Sequence, residues 1–153
     1  MTNIVRVLLV EDNPNDIEVT LHAFKQNNFL NQVHVCRDGE EALNYLCRRG
    51  EYVSREFDSD PQVILLDLKL PKIDGLDVLR AIKADPALRY IPVVILTASS
   101  QDKDLIDTYD LGVNSYIVKP VDFDQFMTAV RTIGFYWALL NQTPEPIVSE
   151  ATM

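Results

Sequence analysis

The sequence predicts an α/β protein, a doubly wound parallel sheet of five strands covered by helices on both faces. Three observations carry this. Near-continuous apolar runs, such as Val63-Ile64-Leu65-Leu66, read as strands buried on both sides rather than as half-exposed ones. These runs alternate with segments whose apolar residues recur at helical spacing, and right-handed crossovers between such units give a parallel sheet. Most of the runs also stop on a polar residue, which places chemistry at the carboxyl edge where open α/β sheets hold their ligands.

The first strand runs over residues 4–10 and ends on Glu11 and Asp12. Asn13-Pro14-Asn15-Asp16 then starts a helix of about residues 15–28, with proline early and acids near the positive end of the dipole. Ile17, Leu21, Phe24 and Asn28 mark its stripe. Residues 32–36 are short and β-rich and read as a strand nearer the sheet edge. A helix follows, carrying Ala42, Leu43, Leu46 and Cys47 on one face and ended by Gly50. Residues 51–60 mix Tyr52, Val53 and Phe57 with charges, which suggests a surface loop or an extra helical turn.

The central strand is the run that ends on Asp67. After the turn Lys72-Ile73-Asp74-Gly75, residues Leu76, Leu79, Ala81 and Ile82 define a short helix that Asp85-Pro86 closes. Residues 91–97 form a fourth strand, with Pro92 at its start, where a missing N–H is tolerated, and with Thr97 at its end. The helix expected over residues 102–111 is weakly apolar and therefore shallowly anchored. A fifth strand, residues 114–120, ends on Lys119-Pro120. The last helix starts near Asp122 and becomes apolar nearly all round at Phe135, Tyr136, Trp137, Leu139 and Leu140. Either the tail folds back over that end or it meets a partner. Residues 142–153, with Pro144 and Pro146 and no periodicity, read as a flexible tail after a single domain of residues 1–141.

Composition narrows the function classes. Fourteen basic and twenty-three acidic side chains give a net charge of -9, which repels phosphate backbones and argues against nucleic-acid binding. No apolar run approaches the ~18 residues of a membrane span. Cys36 and Cys47 have no ligand-type spacing, read as buried free thiols, and fit a reducing cytoplasm.

Each polar strand end is a weak signal alone: acids after a strand are often a solvated loop, and Thr97 could simply cap the next helix. Together they bring Glu11, Asp12, Asp67, Thr97 and Lys119 to one edge. Crowded carboxylates are relieved by a divalent cation, and oxygen-only ligands suit Mg2+. A carboxylate that also faces an ammonium and a hydroxyl can accept a phosphoryl group, giving an aspartyl phosphate on Asp67.

Glu11-Asp12, Leu65-Leu66-Asp67-Leu68-x-Leu70-Pro71, Asp74-Gly75, Leu96-Thr97-Ala98 and Tyr116-x-x-Lys119-Pro120 together closely resemble the receiver domain of bacterial two-component response regulators, the CheY-like family. The resemblance spans about residues 4–133. It implies a flavodoxin-like (βα)5 three-layer sandwich with strand order 2-1-3-4-5. It further implies that Asp67 is the phosphoacceptor for a sensor histidine kinase, with Mg2+ held by Glu11, Asp12, Asp67 and the backbone carbonyl of Lys69. Thr97 would bond the phosphoryl oxygen, Lys119 would pair with it, the Lys119-Pro120 bond would be cis, and Tyr116 would switch rotamer as Thr97 moves. From the residues alone, Tyr116 is equally a half-buried strand residue. Lys69 and Ser99 would border the path of the attacking water and tune phosphate lifetime.

Within that family, the 51–60 segment and the aromatic helix end resemble small stand-alone regulators paired with phytochrome kinases. That likeness implies a homodimer through the last two helices and the fifth strand, with Phe135, Tyr136, Trp137, Leu139 and Leu140 at the interface. The expected output is protein contact or phosphotransfer, because only a short tail follows the last helix. Such a chain phosphorylates itself from donors and dephosphorylates itself without being a turnover enzyme. The alternatives are a phosphorylation-independent interaction module, a phosphorelay intermediate and an aspartate-nucleophile phosphatase. Against the last, no general acid stands two residues after Asp67, where Lys69 is found.

Overall fold

A computed structural model of the chain describes residues 5–26, 31–56, 60–99, 111, 113 and 115–132. In chain order the elements are β1 (Val5–Val10), α1 (Pro14–Gln26), β2 (Asn31–Cys36), α2 (Gly39–Cys47), a 3-10 turn (Gly50–Tyr52), β3 (Val63–Asp67), α3 (Gly75–Ala84), β4 (Val93–Thr97), β5 (Tyr116–Val118) and α4 (Phe123–Thr132). The five strands form one parallel sheet of order β2-β1-β3-β4-β5. This is the flavodoxin-like order that the family resemblance implies.

Alternation along the strands separates two cores. Val7, Leu9, Leu65, Val94, Leu96 and Ile117 face one layer, where Phe24 of α1 meets Phe126 of α4 edge-on at 4.8 Å. Leu8, Val10, Ile64, Leu66 and Ile95 face the other, against Leu46 of α2 and Val78, Leu79 and Ile82 of α3. Strands β3 and β4 are buried along their whole length, so an unbroken apolar run was the correct signature of a central strand.

Register decides what meets at the carboxyl edge. Val10 pairs with Leu66, Asp67 with Leu96, and Thr97 with Val118. Glu11, Asp67, Thr97 and Lys119 therefore end neighbouring strands at nearly the same height. Gly75, the first residue of α3, donates its N–H to Leu68 O at 2.9 Å, and a Cβ there would collide with the carbonyl oxygen of Asp67. The helix can approach the acidic strand end only through a glycine.

Several sequence expectations are corrected. Leu21 is exposed, because the buried stripe of α1 runs through Ile17, Thr20 and Phe24, and Thr20 hides its hydroxyl by donating to Asp16 O at 2.9 Å. Cys36 is buried but Cys47, on the outer side of the last turn of α2, is exposed. That helix ends at Arg48, which takes the left-handed position (φ 55) expected of a glycine, and Gly50 opens the 3-10 turn instead. The described part of the 51–60 segment is clamped at both ends: Arg48 and Arg55 both reach Asp60 Oδ1, at 2.9 and 3.0 Å, and Arg55 lies 4.2 Å over the Tyr45 ring.

The helix expected over residues 102–111 lies outside the described residues but for its last position, Leu111. Phe57, residues 27 and 28, the apolar positions Phe135, Tyr136, Trp137, Leu139 and Leu140, and the 142–153 tail lie outside them as well. Among the described residues no helix is long and apolar enough to cross a membrane.

Candidate functional site

The loop between β1 and α1 delivers two acids of opposite character. Glu11 is buried and Asp12 exposed. Glu11 is fixed through its backbone, which donates to Cys36 O at 3.0 Å, and through Oε2, which accepts the Asn13 N–H at 3.2 Å. Asn13 then caps α1, its Oδ1 receiving the N–H groups of Asn15 at 2.9 Å and Asp16 at 3.1 Å. Asp67, at the end of the central strand, is 6% exposed, and its Oδ1 accepts the N–H of Lys69 at 3.2 Å.

Lys119 closes the site from β5. Its Nζ donates to Glu11 Oε1, Asp16 Oδ2 and Asp67 Oδ2, each at 3.0 Å. Burial alone would lower the Lys119 pKa, yet the hydrogen bonds to Glu11, Asp67 and Asp16 outweigh it and raise it above the ordinary lysine value. One ammonium does not neutralise this many acids. Burial first, and then the charge of Asp67, push Glu11 up to about 7 from 4.5, against the pull of Lys119 and the Asn13 N–H. The Lys119-Pro120 peptide is cis, in line with the resemblance.

One carboxylate oxygen from each of Glu11, Asp12 and Asp67 lies within 4.8 Å of the others. Two oxygens on opposite sides of one Mg2+ are about 4.2 Å apart, so a small contraction would let all three share a cation. The donor set is hard oxygen, and the excess negative charge is what such an ion relieves. Beside it is a cleft of about 80 Å3 lined by Asp67, Leu68, Lys69, Leu96, Thr97, Ala98 and Lys119. Pockets for organic ligands run to roughly 300–1,000 Å3, so among the described residues this cleft is nearer the size of a phosphoryl group.

The remaining sequence-predicted residues fall around this centre. Thr97 is buried, and its hydroxyl donates to Ser99 O at 3.0 Å while lying 3.3 Å from the Ser99 N–H, so it is turned along its own loop. Tyr116 is exposed at the outer edge of the sheet, and Lys69 is exposed as well. Asp16 was missed. The sequence marks it only as a helix-start acid, yet its carboxylate joins the lysine. The available signal was its place on the first turn of α1, a few residues after the acid pair.

Residues 7–131 match the response regulator receiver domain. The chain belongs to that family. Among solved structures, the bacteriophytochrome response regulator AtBRR shares 52% identity with it, covering 91% of this chain and 99% of that one, with a TM-score of 0.83. The probable methanogenesis regulatory protein FilR2 of Methanothrix harundinacea is 43% identical, over 92% of this chain and 88% of its own length. Response regulator Rcp1 of Synechocystis is 39% identical, over 86% and 87%. A solved structure of the Mn(2+)-bound form of response regulator Rcp1 is 36% identical, the match covering 94% of this chain and 99% of that one with a TM-score of 0.70. The chain is thus a response regulator of two-component signalling, similar to phytochrome response regulators whose lengths it nearly spans, and membership of the family implies a histidine kinase partner.

Proposed function

We propose that this protein accepts a phosphoryl group on Asp67 from a sensor histidine kinase, with Mg2+, and passes the signal on by protein contact. The observation that carries this reading is the Lys119 ammonium 3.0 Å from Asp67 Oδ2 beside the Glu11, Asp12 and Asp67 oxygen cluster. An Asp67 oxygen forms the new bond to phosphorus as the P–N bond to the donor imidazole breaks, and the departing nitrogen takes a proton from solvent. Lys119 offsets charge on the transferring oxygens. The Thr97 hydroxyl exchanges its bond to Ser99 for one to a phosphoryl oxygen. Tyr116 moves inward as Thr97 shifts, and Lys69 and Ser99 line the approach of the hydrolytic water.

Glu11, Asp12, Asp67 and the Lys69 carbonyl would hold Mg2+, which supplies positive charge to the phosphoryl oxygens when bound. A phytochrome-type kinase is the favoured donor, supported by the likeness to AtBRR. The sequence supports two further parts of the reading: cytoplasmic residence, and a homodimer through Phe135, Tyr136, Trp137, Leu139 and Leu140 with the fifth strand.

Mass spectrometry after treatment with acetyl phosphate and Mg2+ tests the reading. A single phosphoryl adduct, stable in acid, labile in base and absent from Asp67→Asn, is expected. Light scattering on the same samples reads the dimer. No adduct from acetyl phosphate or from candidate kinases, under conditions that label a control receiver, would leave the phosphorylation-independent binding module as the better reading.

A further inference from the structure

Asp16 is the charged neighbour of the site that neither the oxygen cluster nor the phosphoacceptor accounts for. An ammonium has three N–H donors, and in Lys119 all three are directed to carboxylates, those of Glu11, Asp16 and Asp67. A phosphoryl oxygen on Asp67 can obtain an N–H from Lys119 only by displacing one of them. Glu11 and Asp67 belong to the cluster that suits a divalent cation, so both have a second use for their oxygens. Asp16 lies outside that cluster, on a different element from Asp67 and Lys119, and its side chain is 31% exposed.

We propose, building on the phosphoacceptor reading above, that Asp16 is a positioning residue that restrains Lys119 in the resting chain and competes with the phosphoryl group for its ammonium. Two effects act in the same direction. Asp16 keeps hold of an N–H after Glu11 and Asp67 turn to a cation, so it competes with the phosphoryl group for the ammonium. Its negative charge also opposes a group that brings about -1.5 to -2 charges in place of the single charge of a carboxylate. Asp16 therefore weakens the phosphorylated state, setting how strongly the site must be driven before it holds its phosphoryl group. The opposite role, a tether that preorganises Lys119 for the phosphoryl group, gives the opposite sign and is decided by the same experiment.

The test is a titration with beryllofluoride in Mg2+, a phosphoryl mimic that adds to a carboxylate, followed by amide 1H–15N spectra. It uses the wild-type chain, Asp16→Asn and Asp16→Glu, at low and high salt. Asp16→Asn keeps the shape and removes the charge. It should bind the mimic about two- to fivefold more tightly at low salt, the range a partly exposed ion pair supports. The gain should shrink at about 0.5 M salt, as screening of an exposed charge requires. Asp16→Glu restores the charge on the same helix turn and should return the affinity toward that of the wild type, which a merely structural role for Asp16 does not predict.

Equal or weaker binding by Asp16→Asn at low salt overturns the proposal, and so does an Asp16→Glu variant that behaves like Asp16→Asn. If wild type binds the mimic and Asp16→Asn does not differ, the restraint falls and the phosphoacceptor reading stands. If wild type fails to bind the mimic and to form the acetyl phosphate adduct, the phosphoacceptor reading falls and takes the restraint with it.

Discussion

Two polar clusters flank the same sheet, and they are built on opposite terms. At the carboxyl edge, Glu11, Asp16 and Asp67 surround Lys119, and Asp12 lies beside Glu11 and Asp67, leaving negative charge in excess. Beside β2, the His34 ring stacks on Tyr45 at 4.2 Å, His34 Nε2 meets the Tyr52 hydroxyl at 2.9 Å, and that hydroxyl donates to Glu41 Oε2 at 2.7 Å. Around them Asp60 answers Arg48 and Arg55. By spacing alone His34, Cys36 and Glu41 could also hold a metal. Yet the Tyr52 hydroxyl already links His34 to Glu41, and burial pushes the Cys36 thiol up, away from the thiolate a metal needs. Titratable residues in proximity do not by themselves make a site. The imbalance of charge at the carboxyl edge is what leaves room for a cation and a phosphoryl group.

Removing the ammonium tests that contrast most severely. Lys119→Met leaves Glu11 and Asp67 buried without their cation, and breaking such a pair costs about 3–5 kcal/mol. Urea unfolding at pH 8 without divalent metal should show the loss, Mg2+ should recover part of it, and pH 6, where Glu11 can protonate, should soften it. An unchanged midpoint at pH 8 would mean that the acids are not held in excess.

Glu11 supplies the next largest effect. Its folded pKa of about 7 stands above the ordinary 4.5, so the folded state binds the proton more tightly. Its contribution to stability is full below about 4.5 and is lost as pH rises through about 7, by at most ~3 kcal/mol. Glu11→Gln should flatten that part of the stability curve, as should Mg2+. His34 has the opposite sign. Burial lowers its pKa first, against the pull of Glu41, so its contribution is present above the ordinary 6.5 and is lost as pH falls below it. His34→Gln should leave the slope between pH 4.5 and 7 that belongs to Glu11 in place, and a curve that lost it would merge the two clusters into one.

Most of the carboxyl-edge site was legible because strand ends are a one-dimensional signal: an apolar run and the residue that stops it sit side by side in the chain. Glu11, Asp67, Thr97 and Lys119 were all found that way, and the parallel register then brought them together. Asp16 was not, because its role depends on the orientation of α1 over the sheet. The cluster beside β2 was opaque for the same reason. Tyr45, Tyr52 and Arg55 lie on a helix, a 3-10 turn and an irregular stretch, and the clamp to Asp60 turns a charged stretch into a packed one. Leu21 and Cys47 were misplaced because apolarity marks a helix stripe only to within one residue, and a hydroxyl satisfied by its own helix, as in Thr20, can take the inner position.

The smallest effect is the most discriminating between the two clusters. Tyr52→Phe removes the hydroxyl that bridges His34 and Glu41 and keeps the ring packed on both aromatic neighbours. The loss should be about 1 kcal/mol, the net worth of a hydrogen bond, with a further contribution from the partners left half-satisfied. Unfolding midpoints should register it, while the rate and yield of the acetyl phosphate adduct stay at wild-type values, because a cluster whose hydrogen bonds close on themselves has no charge to pass to Asp67. A change in adduct yield larger than the change in folded fraction would show that the β2 cluster is wired to the carboxyl edge. The Glu11 N–H bonded to Cys36 O at 3.0 Å would then be the first connection to cut.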